Sequence, residues 1–200
     1  MTTYSAQRDH PVPPEPHRER ALGFWLYLIT DAVLFAVLFA NYAVLLPGTA
    51  GGPAPGEIFT LWRVAAETGL LLCSSLTFGF LAISALSGAH GRANLWLLVT
   101  FLLGAGFVAL EIGEFAEMAA NGATPQRSGF LSGFVALVGT HGLHVSFGLL
   151  MLAVMFVQIQ VKGLTHPVLS RLYRLGLFWH FLDLIWIGIF SFVYLPGLVK

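Results

Sequence analysis

The sequence predicts an all-α membrane protein, a polytopic bundle of five transmembrane helices with almost no soluble part. Three observations carry that expectation. Of 200 residues, 56% are hydrophobic and only 10% charged, with a mean hydropathy of +0.78; a soluble domain carries about 25% charged residues, because its surface must be wetted. The apolar residues gather into five runs, each long enough to cross roughly 30 Å of hydrocarbon, which takes about 20 residues. Short polar or Gly/Pro-rich loops join them, such as Pro47-Gly48-Thr49-Ala50-Gly51-Gly52-Pro53.

Residues 1–22 differ from the rest, with Pro11, Pro13, Pro14 and Pro16 set among Arg8, Glu15, Arg18, Glu19 and Arg20. Such a segment cannot bury enough apolar surface to offset its ordering entropy, so a flexible cytoplasmic tail is expected. The apolar run that follows is too long for a signal-peptide core and lacks a small-x-small cleavage pattern, so it reads as a retained span. Residues 23–200 then form one five-helix domain, with spans at about 23–46, 61–86, 94–118, 130–161 and 172–195. The fourth exceeds the bilayer thickness and is expected to tilt or protrude. Arg8, Arg18, Arg20, Arg92, Lys162, Arg171 and Arg174 fall on one side, and Arg63, Arg127 and Lys200 on the other. That bias places the N-terminus inside and the C-terminus outside. Trp25, Tyr42, Trp62, Trp96, Tyr173 and Tyr194 fall near the expected interfaces. A formal net charge of zero offers no basic surface for nucleic acid. Cys73, the one cysteine, lies in an apolar run and reads as a small packing residue.

An ionisable side chain in hydrocarbon costs several kcal/mol, so each one poses a question of function or structure. Asp31 lies in the first span, Glu67 in the second, Glu111 and Glu114 in the third, His141 and His144 in the fourth, and His180 and Asp183 in the fifth. No Lys or Arg falls deep in any span. The five acids must therefore be protonated, paired through the three histidines, or satisfied by another chain. At 100° per residue, Gly176, His180, Asp183, Ser191 and Tyr194 share a narrow face that should look into protein. Gly139, Gly142 and Ser146 lie opposite the fourth span's histidines, and Ala105, Ala109 and Gly113 form a small-residue stripe suited to close helix contact.

The Glu-x-x-Glu, His-x-x-His and His-x-x-Asp pairs have the residue types and spacing of a dimetal centre in a helix bundle. The Glu-x-x-His signature of such centres is missing. Nothing specific supports haem ligation by His141, His144 or His180. A relay through Asp31 or Glu67 needs partners that spacing cannot show. There is no Gly-x-Ser-x-Gly elbow and no His-Glu-x-x-His helix. The simpler reading is that these eight groups are structural, hydrogen-bonding across helices and fixing their packing.

Two long motifs then carry a resemblance. Ser128-Gly129-Phe130-Leu131-Ser132-Gly133-Phe134 leads into Gly139-Thr140-His141-Gly142-Leu143-His144-Val145, and Phe178-Trp179-His180-Phe181-Leu182-Asp183-Leu184-Ile185-Trp186 follows. Gly23-Phe24-Trp25-Leu26-Tyr27-Leu28 with Asp31-Ala32-Val33-Leu34-Phe35, Thr49–Pro53 and Glu111-Ile112-Gly113-Glu114-Phe115 add to them. In this order they resemble subunit III of haem-copper terminal oxidases over nearly everything after the tail. Five spans, the Thr49–Pro53 loop and Asp31, where cytochrome c oxidases usually carry a buried Glu, resemble the cytochrome o ubiquinol oxidase branch.

The resemblance implies a non-catalytic accessory subunit of a proton-pumping ubiquinol oxidase in the aerobic respiratory chain of a bacterial inner membrane. It implies no catalytic residue, metal or redox cofactor in this chain, with haem and copper held by subunit I. Subunits I, II and IV and phospholipid are the implied partners, and the implied task is to keep subunit I stable through turnover. A relative associated with nitric-oxide reduction is the alternative within the family. A free-standing enzyme or transporter would use the intramembrane acids without partners, around Gly/Pro-broken spans; no proline interrupts these five. A purely structural scaffold would differ only in leaving turnover unaltered on deletion.

Overall fold

The computed structural model describes residues 16–51 and 60–198. Arg8 and the rest of residues 1–15, Gly52 and Pro53 of the first loop, and Lys200 lie outside them. Five long helices account for nearly all of the described chain: α1 Pro16–Leu45, α2 Leu61–Leu86, α3 His90–Ala120, α4 Gly129–Lys162 and α5 His166–Ile189. The last continues through a π-helical turn, Phe190–Tyr194, into the short helix Leu195–Leu198. All five are long and apolar enough to cross a membrane, and there is no strand among the described residues.

Local chemistry explains where the helices start and stop. Ser128 caps α4 by accepting a hydrogen bond from the Leu131 amide at 3.2 Å. Gly163 ends it at φ 67°, a conformation that L side chains rarely adopt. Gly88, at φ 69°, turns the chain so sharply that α3 begins at His90, ahead of the expected Asn94. α5 begins at His166 instead of Leu172, because Pro167 occupies the first turn, where its missing amide costs nothing. α1 likewise starts at Pro16, ahead of the expected span.

Packing follows alternating steps of three and four residues. The buried stripe of α2 runs Val64, Glu67, Leu71, Ser74, Phe78, Leu81, Ala85; that of α3 runs Ala93, Leu97, Thr100, Gly104, Phe107, Glu111, Glu114, Met118. In α5 it runs Val168, Leu172, Leu175, Trp179, Leu182, Trp186, Ile189. This is the spacing of helices that cross at shallow angles with interlocking side chains. α2 packs along α3, α3 along α4, and α4 along α1 and α5, while α5 also packs on α2 and α1.

Small residues make the closest approaches, among them Gly142 of the expected α4 face, where an added Cβ would collide with Glu111, but not the expected α3 stripe. Ala109 and Gly113 of the predicted α3 stripe face outward, and a Cβ at Gly113 would meet nothing within 4 Å. The close contact is instead made by Gly104 and Gly148, whose missing side chains both admit the ring of Trp179. Tyr42 and Tyr194 are buried in the core instead of anchoring at an interface, whereas Trp25, Trp62 and Tyr173 are exposed as expected. Cys73 is exposed on α2, so within this chain it is not a packing residue.

Candidate functional site

The intramembrane polar groups form three layers. At the end where α2 begins and α3 finishes, Glu67, Glu111 and Glu114 sit on the facing stripes of the two helices and are all buried. The Tyr194 hydroxyl donates to Glu114 Oε2 at 2.9 Å. That contact ties the end of α5 to α3, and the π-helical turn beneath it helps bring Val193 and Tyr194, adjacent in sequence, both inward. At the margin, Arg63 Nη2 donates to Glu117 Oε2 at 2.6 Å. The carboxyl oxygens of Glu67 and Glu111 have no hydrogen-bond partner among the described residues. Glu111 lies so close to the α4 backbone that a Cβ at Gly142 would collide with its carboxyl group. Gly142 is therefore the gap that admits Glu111.

The middle layer holds the histidines. His141 Nε2 donates to the Leu182 carbonyl at 3.2 Å, and its fully buried ring packs edge-on to Phe107 and beside Trp186. His144 Nδ1 donates to the Thr140 carbonyl at 2.7 Å, and its Nε2 stands 3.8 Å from Asp31 Oδ2. Two indoles add cross-links: Trp179 Nε1 donates to Ser74 Oγ at 3.0 Å and Trp186 Nε1 to Thr68 Oγ1 at 3.1 Å. Thr77 and Thr100 join hydroxyls at 2.9 Å between α2 and α3. Spacing alone singles out none of these cross-links; in the structure Ser74, Thr100 and Trp179 fall on the inward stripes of α2, α3 and α5.

His180 departs from expectation. Its side chain is half exposed, with Nδ1 2.6 Å from Ser75 Oγ and 3.7 Å from Asp183 Oδ2. Ser191 is also exposed, while Gly176, Asp183 and Tyr194 are buried. The face expected to look wholly into protein is split: His180 is turned outward within the regular helix, and the π-helical turn alters the 100° register only from Phe190 onward, at Ser191 and Tyr194.

The third layer, near the other membrane surface, is basic. Arg171 Nη1 donates to Gln158 Oε1 at 2.7 Å, and Arg174 Nη1 to Ser170 Oγ at 3.0 Å. Both border an apolar groove of about 490 Å³ between α1, α4 and α5, lined by Phe24, Phe147, Met151 and Phe178.

These positions do not fit a dimetal centre. Each histidine is engaged with a different partner, and among the described residues no three His, Cys, Asp or Glu side chains converge on one point. What the arrangement does is join helices: α2 to α5, α3 to α5, α2 to α3 and α4 to α5.

Comparison with known proteins extends this. The family model for cytochrome c oxidase subunit III matches residues 16–198. The chain is 56% identical to the cytochrome bo(3) ubiquinol oxidase subunit 3 of Pseudomonas putida over 178 residues, covering 89% of this chain and 86% of that one. It is 53% identical to the protein of the same name from Pseudomonas aeruginosa over 189 residues, covering 94% and 90%. A quinol oxidase subunit 3 of Bacillus subtilis is 44% identical over 184 residues, covering 92% and 90%.

Proposed function

We infer what this chain does from a plain premise: it belongs to the cytochrome c oxidase subunit III family. It is a non-catalytic, multi-pass membrane component of a haem-copper oxidase complex in a respiratory chain, and the two Pseudomonas relatives are subunits of ubiquinol oxidases. The reading adopted for the complex as a whole is ubiquinol oxidation coupled to oxygen reduction and outward proton movement. Haem and copper then belong to subunit I, and this chain's partners are subunits I, II and IV in a bacterial inner membrane. The bias of Lys and Arg supports an N-terminus in the cytoplasm.

The observation that carries the accessory role is the use to which the polar side chains are put. Thr68, Ser74, Thr77, Thr100, Glu114, His141 and Tyr194 are spent on contacts between this chain's own helices. Asp31, Glu67, Glu111, His144, His180 and Asp183 are read as structural as well, fixing packing within this chain or, for His180, against a partner. Such a bundle offers a partner a rigid flank. The basic layer supports a lipid partner: Arg171 and Arg174 keep donors for a phosphate group, and the groove beside them is apolar.

The test is purification of the tagged chain from its native membrane in mild detergent, with an optical spectrum and identification of its companions. Haem-bearing subunits should accompany it, and haem should be lost when the chain is stripped away. Purification alone, with haem or metal of its own, would overturn the reading.

A further inference from the structure

The central helix of the bundle keeps one stripe uncovered. Tyr173, His180, Leu184 and Ile187 of α5 fall within a narrow arc, and all four are exposed. His180 sits near the middle of the membrane-crossing segment His166–Gly197. At ~1.5 Å per residue it lies roughly 9 Å along the helix from Arg174 of the basic layer and roughly 25 Å from the far end of the segment, beyond what an imidazole can span. Beside it, Ser75 occupies the middle of α2, and Asp183 holds two carboxyl oxygens without a hydrogen bond. The other carboxyls and imidazoles at this depth, Asp31, His141, His144 and Asp183, are turned inward, with side chains at most 20% exposed.

Hydrocarbon offers no donor or acceptor, so a half-exposed imidazole at mid-depth has to be met by protein. The exposed mid-span faces of α1 and α4 differ: Val33 and Val37, and Leu143, Phe147 and Leu150, are apolar and compatible with lipid. Next to His180 the α2/α5 seam forms a groove of about 210 Å³, lined by Phe78, Ala82, Ala85, Leu172, Tyr173 and Gly176. It has room for one bulky apolar side chain.

We propose that the α2/α5 seam centred on His180 is the face against which a transmembrane helix of another oxidase subunit packs. The occupant carries a hydroxyl, amide or carboxyl group opposite the imidazole and an apolar side chain that enters the groove. The contact combines a polar pair with close packing, the means by which helices associate where lipid is the competing solvent. This rests on the accessory-subunit reading above and names the surface through which that role is exerted.

The experiment uses the full chain in native membranes. Photoreactive benzoylphenylalanine replaces Tyr173 or Leu184 on the stripe, or Val37, Ile112 or Leu143 as exposed positions on α1, α3 and α4. After irradiation the complex is purified and adducts are identified by mass. Adducts with another oxidase subunit are expected from Tyr173 and Leu184, well above those from the three comparison positions. His180→Leu should reduce haem retained through a detergent wash about three- to tenfold, with the chain's own level in the membrane unchanged. The proposal is overturned if haem co-purifies while the stripe yields only lipid adducts or adducts with a second copy of this chain. It is equally overturned if subunit adducts arise only from the comparison positions. Absence of any haem-bearing companion would instead sink the accessory-subunit reading itself.

Discussion

Gly148→Ala adds a single methyl group at the point where α4 meets α5, and the structure says what that methyl would strike. A Cβ there would stand 2.9 Å from Trp179 Cζ3, 3.1 Å from Cε3 and 3.4 Å from Phe178 Cε1. The indole cannot withdraw. On its other side Gly104 leaves only 2.8 Å between an added Cβ and Cη2, and Nε1 is held by Ser74 Oγ. Overpacking against a ring fixed on both sides costs about 1–3 kcal/mol, which raises the unfolded fraction roughly 5- to 150-fold. The assay is a detergent-denaturant titration of the purified protein in mixed micelles, read by pulse proteolysis. Gly69→Ala and Gly113→Ala supply the baseline, because a Cβ at either meets nothing within 4 Å. Those two should be neutral or gain up to ~1 kcal/mol from helix propensity. In a Trp179→Phe background the cost of Gly148→Ala should shrink, since the two sites touch and their effects are not additive. A Gly148→Ala protein as stable as Gly69→Ala would refute the claim that glycine is there to seat the indole.

Other contacts give smaller tests. Tyr194→Phe removes the hydroxyl that donates to Glu114 and should cost about 1–3 kcal/mol in the same titration. Arg63→Gln breaks a salt bridge whose side chains are 30% and 59% exposed, so the loss should stay below ~1 kcal/mol and fade with added salt. Asp31→Asn alters a carboxyl 3.8 Å from His144 Nε2; in the assembled complex it should shorten turnover lifetime more than it lowers the initial rate. An oxygen-electrode trace followed to inactivation measures both, and an immediate loss of initial rate would count against a stabilising role.

Much of this was legible in the sequence, because in lipid the rule is one-sided. Apolar runs of sufficient length must be helices, and the intramembrane acids had to turn inward, as Asp31, Glu67, Glu111, Glu114 and Asp183 do. Pairing was not legible. That Trp179 would find Ser74, or Tyr194 find Glu114, depends on how helices distant in sequence are rotated against one another. The small-residue stripe misled because several α3 faces carry Ala or Gly, and only Gly104 faces a ring that needs the space. Tyr194 read as an interfacial anchor because it stands at a span's end, although periodicity put it on the inward face of α5, where it is buried. His180 was expected inside on the same periodicity, and a single chain's pattern cannot separate a face buried by its own helices from one left for a partner.

Of two neighbouring acids on one seam, replacing Glu67 itself and replacing the donor to Glu114 act on stability with opposite sign. Glu114 has a hydrogen-bond donor in Tyr194, whereas neither oxygen of Glu67 has a partner among the described residues, although the residue is fully buried. Removing one member of a satisfied pair leaves an unsatisfied group behind and destabilises. Replacing an unpartnered polar group by an apolar one of similar size removes a desolvation cost and is neutral or stabilising. Glu67→Leu should therefore leave the denaturation midpoint unchanged or raise it, while Tyr194→Phe lowers it. Loss of more than ~1 kcal/mol in Glu67→Leu would show that this carboxyl is bonded in the folded protein, by ordered water or by a neighbouring subunit. Repeating the measurement on the isolated chain and on the whole complex separates those two sources. A cost present in both points to water within the α2–α3 seam, and a cost confined to the complex points to a partner reaching Glu67.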